Sequence, residues 1–267
     1  MPKISVLMGV YNCSEFVAEA IESVLSQTFS DFELIICDDG SSDDTVAIVK
    51  KYAEADKRIV FVKNDRNYGL AHTLNHCLSL ARGEYLVRMD GDDISKPERF
   101  RVLLDTAEKH REFDVIGSGV DLFDENGVWG EAIFSNTPDK LDAFMQRTLS
   151  HATVIMKHSA LVDCGAYDES TDIARAEDYD LWCRMVLKGY RLTSIPDKLY
   201  QVRWDQRNYY SRRPFRVRLA WARLVKKWHK RMGLGMRGMN KVIGTYLKAF
   251  TPNAIKNLYH RVHFKVN

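Results

Sequence analysis

The chain has 267 residues, 45% hydrophobic and 28% charged, enough to bury a sizeable core as one large domain or a domain with an appendage. No run of about 18 apolar residues is present, and the N-terminus passes straight into the strand-like Ile4-Ser5-Val6-Leu7-Met8 without a basic-then-apolar leader; the expectation is a protein that neither spans a membrane nor is exported by a signal peptide. The net charge of +3 conceals an asymmetry, because from Arg203 onward 17 Lys and Arg face one acid, Asp205, leaving the tail at +16 and the rest at −13.

In chain order, residues 4–10 are a strand-like run, and Phe16, Ala20, Ile21, Val24 and Leu25 recur at helical spacing within 14–27. The apolar run Glu33-Leu34-Ile35-Ile36-Cys37 ends at Asp38-Asp39-Gly40-Ser41-Ser42-Asp43. Helical pattern then covers 44–55, strand pattern 59–63, helical pattern 70–81 and strand pattern 84–89. This alternation predicts an α/β fold, a Rossmann-like, mostly parallel sheet flanked by helices, whose ligands bind beyond the carboxyl ends of the strands. Asn12, Asp38-Asp39 and Asp90-Gly91-Asp92-Asp93 all fall there. The pattern next predicts a helix over 97–111, strands over 114–123 and 128–134 joined by an Asp124-Glu125-Asn126-Gly127 turn, a helix over 138–147, a strand over 152–157 and a short helix over 158–164. A helix from the acidic Glu177-Asp178-Tyr179-Asp180 to Lys188 is closed by Gly189, with strands at 190–195 and 199–204. The basic tail reads as an amphipathic helix from Pro214 to about Met232, with one or two more over 239–264. Five scattered cysteines (Cys13, Cys37, Cys77, Cys164, Cys183) without metal-type spacing read as reduced core residues of a cytoplasmic protein.

Asp90, Asp92 and Asp93 follow the apolar Tyr85-Leu86-Val87. Acids crowded at the end of a buried strand repel one another and lose hydration, and a cation between them relieves both. Hard oxygens beside a glycine suit Mg²⁺ or Mn²⁺, which complete their shells with water and substrate phosphates. The competing reading is an acidic turn capping the helix near Lys96-Pro97.

Four stretches occur in order: Ser5-Val6-Leu7-Met8-Gly9-Val10-Tyr11-Asn12; Asp38-Asp39-Gly40-Ser41-Ser42-Asp43-Asp44-Thr45; Arg66-Asn67-Tyr68-Gly69-Leu70-Ala71 with Asn75; and Gly83-Glu84-Tyr85-Leu86 running into the acidic motif. With this order and spacing, residues 1–95 resemble the nucleotide-sugar-binding half of family 2 glycosyltransferases, which have the GT-A fold. The resemblance implies that Val10, Asn12, Asp39, Arg66, Asp90 and Asp92 bind the nucleotide sugar, Asp39 accepting from the base. It also implies that Asp92 contacts a Mn²⁺ or Mg²⁺ ion, with Asp90 on the ribose or the metal's waters. Asp39 has an alternative as a helix N-cap, which Asp43 or Ser42 could supply instead, and Arg66 as a solvated loop cation. Ala176-Glu177-Asp178-Tyr179-Asp180-Leu181-Trp182 is similar to the family's Glu-Asp motif, whose aspartate is the general base on the acceptor hydroxyl. Asp178 takes that role, with Glu177 as fallback, against the alternative of a helix start decorated with acids. His151, Asp93 and Trp182 are acceptor-side candidates; Trp182, Trp204 and Tyr209 could stack on sugar rings, although burial is the commoner fate of aromatics. Gln201-Val202-Arg203-Trp204 is one residue short of the Gln-x-x-Arg-Trp signature of processive relatives, so transfer of a single sugar is expected.

In the tail, Trp221, Leu224, Val225 and Trp228 recur at helical spacing among basic residues, a composition suited to an interfacial helix on an anionic leaflet. No nucleic-acid-binding signature accompanies the charge, and no nucleic-acid partner is expected. The expected layout is a catalytic domain over 1–205, divided into a donor half 1–95 and an acceptor half 96–205, followed by a membrane-associating tail 206–267. The resemblance implies a metal-dependent inverting hexosyltransferase on the cytoplasmic face of the inner membrane. Its donor would be a nucleotide sugar, UDP-Glc or UDP-Gal favoured, and its acceptor a lipid diphosphate-linked saccharide such as GlcNAc-diphospho-undecaprenol, β-linked, in O-antigen or surface-polysaccharide assembly. A nucleotidyltransferase would show a glycine-rich basic loop where this chain has Val10-Tyr11-Asn12-Cys13, and a non-catalytic anionic-surface binder leaves the acidic motifs without a purpose.

Overall fold

The computed structural model describes residues 1–134, 137–170, 176–204 and 215–251. Strands β1 (Ile4–Val10), β2 (Phe32–Asp38), β3 (Ile59–Lys63) and β4 (Tyr85–Asp90) lie parallel in the order β3-β2-β1-β4. Helices α1 (Val17–Leu25), α2 (Thr45–Ala55) and α3 (Leu70–Leu80) connect them. Both faces are covered, and the pleat sends alternate residues to two hydrophobic clusters, Leu7, Ile35 and Leu86 to one, Val6, Met8, Leu34, Ile36 and Val87 to the other. In the register, Val10 pairs with Asp38 and Gly9 with Asp90, so the loops that carry the motifs leave the sheet side by side.

The second half extends this sheet. After the two-residue β5 (Ile94–Ser95) and α4 (Arg99–Lys109) come the hairpin of β6 (Val115–Asp124) and β7 (Gly127–Ala132), then α5 (Lys140–Met145), a 3-10 turn at His151–Thr153, β8 (Ile155–Lys157) and α6 (His158–Asp163). The helix α7 (Glu177–Lys188) and the strand β9 (Leu192–Arg203) follow. β8 runs antiparallel between β4 and β6, and β9 joins β6 to β5.

Three elements differ from the sequence reading. The strand expected over 152–157 starts as the 3-10 turn, because the Thr153 hydroxyl donates to the Ser150 carbonyl (2.8 Å) and takes Ser118 N–H (3.2 Å). The strands expected at 190–195 and 199–204 are one strand, β9; its register against β6 slips between Ser194 and Lys198, around Pro196, which has no N–H for the ladder. β5 is too short to leave a periodic signal.

The tail needs the largest correction. In α8 (Phe215–Arg231), Leu224, Val225 and Trp228 are buried and Trp221 is half-buried against the same cluster as α7. Trp228 Nε1 donates to Asp180 Oδ1 (3.0 Å), a carboxylate also held by Arg184 (2.6 Å). The stripe read as lipid-facing therefore covers α7, because α7 offers a complementary apolar face. Exposed cations Arg223, Lys226, Lys227 and Lys230 occupy the outer side of α8, and Ile243, Leu247 and Phe250 of α9 (Met239–Phe250) are exposed. Tyr209, the 205–214 boundary and the helix expected beyond Thr251 lie outside the described residues.

Docking of α8 makes a stability prediction. Trp228→Ala should cost about 3–5 kcal/mol of unfolding free energy, and Lys227→Ala less than about 0.5 kcal/mol, read from urea midpoints. Equal midpoints for the two variants would mean that α8 is not packed on α7.

Candidate active site

The two loops of the nucleotide motifs are locked together before any ligand arrives. Asn12 stands at φ +47°. Its side-chain oxygen accepts from Ser42 N–H (2.8 Å), its own N–H donates to Ser41 Oγ (2.9 Å), and Ser14 N–H donates to Asp43 Oδ2 (3.0 Å). Gly40, at φ +77°, lies so close to the next loop that a Cβ would stand 2.7 Å from the Arg66 carbonyl carbon. Asp43 Oδ1 takes the first helical N–H of α2, at Thr45 (3.1 Å), which leaves Asp39 free of capping duty. Asp39 instead accepts from Asn64 Nδ2 (2.9 Å), Tyr68 N–H (2.9 Å) and Gly69 N–H (2.8 Å). A carboxylate has about four acceptor positions, so roughly one remains for a ligand. Beside it is a cavity of about 500 Å³ lined by Val10, Tyr11, Asp39, Tyr68, Thr73 and Glu177. Asn12 and Arg66 are not in its wall: Asn12 serves the loop, and exposed Arg66 stacks on the Tyr68 ring, 4.7 Å from its centroid.

The acidic motif closes against the same loops. A Cβ on Gly91 would stand 2.9 Å from Val10 Cγ1 and 3.1 Å from Cys13 Sγ, so no larger residue allows this approach. Asp90 pairs with Arg88 Nη2 (2.5 Å). Burial and then the Asp90 charge raise the Asp92 carboxyl above the usual range. Asp93 is 4% exposed, and its Oδ1 accepts from Arg203 N–H (2.8 Å).

Glu177 and Asp178 stand in the first turn of α7. Burial raises both carboxyls; the Asp90 charge raises both further and the Arg88 charge opposes it. The charges of Asp90 and Arg88 therefore act on both acidic motifs. Arg88 is 2% exposed, its Nε is buried without a partner, and the backbone carbonyl of Arg88 is held by the equally buried Arg99 (2.8 Å). Nothing in the motif comparison singled out Arg88. The available signal was a cation interrupting the buried run of β4.

Two acceptor-side candidates do not face the cavity. Trp182 is 2% exposed in the core on the inner face of α7, and Asp93 is spent on the β9 backbone. His151 lies partly buried in an aromatic setting, its Nε2 2.9 Å from Tyr167 Oη and its ring edge-on to Trp182. A second cavity of about 580 Å³ is lined by Asp92 together with Glu15, Phe16, Asp124, Arg203 and Trp204. Arg203 is clamped there between the Phe16 and Phe123 rings, 4.4 Å from each centroid.

Among the described residues, no three His, Cys, Asp or Glu side chains converge to close a metal site unaided. The donor set Asp92 and Asp90 nevertheless fits Mg²⁺ or Mn²⁺. Both are hard oxygens, and burial followed by the Asp90 charge raises the Asp92 carboxyl, both of which a cation offsets.

A family model described as glycosyl transferase family 2 matches residues 5–171. EpsE of Bacillus subtilis, a glycosyltransferase by name, is 40% identical over 261 residues, 97% of this chain and 94% of that relative. The UDP-Glc:α-D-GlcNAc-diphosphoundecaprenol β-1,3-glucosyltransferase WfaP of Escherichia coli is 31% identical over 206 residues, 76% of this chain and 78% of that relative. Among solved structures, Staphylococcus aureus TarS 1-349 in complex with UDP superimposes with a TM-score of 0.68 at 24% identity, over 85% of this chain and 65% of that one.

The site makes a pH prediction. Burial, reinforced by the Arg88 charge, holds His151 well below the usual histidine value. The unfolded chain takes up this proton near pH 6.5 and the folded one does not, so the stability contribution is complete above that pH. It is lost as pH falls below it, by up to about 1.4 kcal/mol per pH unit. His151→Gln should remove this part of the slope between pH 7.5 and 5.5 in urea unfolding; an unchanged slope would place a charged histidine in the folded state.

Proposed function

Because the chain belongs to glycosyl transferase family 2, we propose that it moves a single hexose from a UDP-sugar onto a lipid diphosphate-linked saccharide in bacterial surface-polysaccharide assembly. The GT-A fold is common to the chain and its structural relatives. The observation that carries the reading is that the charges of Asp90 and Arg88 act on Asp92, Glu177 and Asp178 alike, with Glu177 in the wall of the cavity lined by Asp39. Relatives named for amylovoran and O-antigen biosynthesis support the polysaccharide setting, and WfaP's name supports a UDP-Glc donor and a GlcNAc-diphospho-undecaprenol acceptor, with β linkage.

In this reading the nucleotide base enters between Tyr11 and Tyr68 and reaches the remaining acceptor position of Asp39, while the diphosphate lies towards Asp92. Mn²⁺ or Mg²⁺ held by Asp92 and Asp90 supplies Lewis-acid neutralisation of the leaving diphosphate. The acceptor sugar occupies the cavity of Phe16, Arg203 and Trp204, whose wall includes Asp92. Asp178, made more basic by burial, takes the proton of the attacking hydroxyl. The new bond forms between that oxygen and the anomeric carbon as the bond to the diphosphate oxygen breaks, its electron pair leaving with the nucleotide diphosphate. One base opposite the leaving group gives inversion. Residues 1–205 perform this chemistry, and the exposed basic row of the 206–267 tail holds the enzyme to the cytoplasmic face of the inner membrane by attraction to anionic lipids, about 1 kcal/mol per cation. No helix among the described residues is long and apolar enough to cross a membrane.

Two measurements test the chemistry. Asp92→Ala should fold normally and lose transfer, scored as release of UDP from UDP-Glc with a GlcNAc-diphospho-lipid analogue; full activity in that variant, or in wild type with excess chelator, would sink the metal assignment. Asp178→Asn should keep UDP affinity and lose about 10²-fold or more in turnover. If Glu177→Gln is instead the inactive variant, the two acids exchange roles.

A further inference from the structure

Between α5, α8 and α9 lies a cavity of about 440 Å³ whose charged lining is Arg218, Lys241 and Lys248, with no carboxylate among the described residues that line it. Lys241 is its centre. The ammonium donates to the Phe144 carbonyl and to Gln146 Oε1 (3.4 Å), and stands 5.2, 4.8 and 5.8 Å from the ring centroids of Phe144, Tyr179 and Trp221. It has lost hydration without gaining an anionic partner, and burial pulls it down to about 8. Arg218 is anchored by Nη1 to the Thr251 carbonyl (2.9 Å), and its Nε is buried without a partner. Gly244 leaves this wall open, with no atom beyond its chain neighbours and its own helix backbone within 4 Å of where its Cβ would stand. The catalytic reading uses none of these residues.

Cations brought together in a concave site without acids repel one another, a cost that an anion offsets. We propose that this cavity binds a phosphate ester of headgroup size, supplied by an anionic membrane lipid. The volume suits a small polar ligand, and ammonium and guanidinium groups are strong donors to phosphate oxygens. The proposal rests on the membrane reading above and gives it a residue-level site in place of the buried stripe of α8. It also gives the location a purpose. Tyr179, in the ring cage around Lys241, follows Asp178 in α7, so a headgroup seated here holds the catalytic helix at the lipid surface where a lipid-linked acceptor presents its sugar.

Gly244→Asp tests this without removing any contact, because it fills the open wall with a carboxylate; Gly244→Asn is the neutral control of the same shape. In vesicle sedimentation, Gly244→Asp should bind phosphatidylglycerol vesicles about tenfold more weakly than wild type, Gly244→Asn within about twofold, and both should transfer to a short soluble acceptor at the wild-type rate. Lys248→Gln, at an exposed position, should weaken vesicle binding in the same direction. In calorimetry, glycerol 3-phosphate should bind wild type and not Gly244→Asp. If glycerol phosphate binds with this discrimination and vesicles do not, the cavity takes a soluble phosphate ester and the lipid source is rejected. If all variants bind vesicles like wild type and glycerol phosphate does not discriminate, the cavity proposal is overturned while the basic-row membrane reading survives.

Discussion

The site depends on the guanidinium of Arg88. The pleat of β4 sends Leu86 and Arg88 to the face covered by α7, and Val87 and Met89 to the opposite one. An isolated buried cation carries an effective penalty of several kcal/mol, and so does each buried carboxylate. Arg88 offsets the charge of Asp90 directly and opposes the raised carboxyls of Asp92, Glu177 and Asp178. Arg203 adds a second positive charge that acts on Asp92. Burial and the Asp90 charge leave the Asp92, Glu177 and Asp178 carboxyls above the usual range.

The parallel half of the fold was legible because its signals are local. Apolar runs in β1, β2 and β4 end at acids or amides, and a parallel sheet brings such ends to one edge. The Asp124–Gly127 turn was equally readable, and Gly127 does take a positive φ of 107°. What escaped depended on contacts distant in sequence. Asn12 is an amide at a strand end by pattern, and its oxygen accepts from Ser42; Trp182 is an aromatic near the Glu177-Asp178 stretch and lies in the core. Spacing shows that a residue is near a site; it does not reveal what the other loops have already claimed.

The tail illustrates the same limit energetically. An amphipathic basic helix is compatible with lipid or with a protein partner, because both accept its apolar stripe. Here the partner is α7, tied by Trp228 to Asp180. The cations left outside, and those drawn into the cavity around Lys241, are what remains available to an anionic surface. Helices α7 and α8 thus form one packed unit, and the membrane reading rests on charge in place of a buried aromatic face.

The central claim is that donor binding and both acidic motifs belong to one site. A crystal structure of the enzyme with Mn²⁺ and a non-hydrolysable UDP-hexose, read with anomalous scattering from manganese, tests it most directly. The account predicts a manganese peak bonded to Asp92 and the diphosphate, the uracil between Tyr11 and Tyr68 against Asp39, and the anomeric carbon facing Asp178. A nucleotide seated instead in the cavity of Phe16 and Trp204, or manganese away from Asp92, would contradict it.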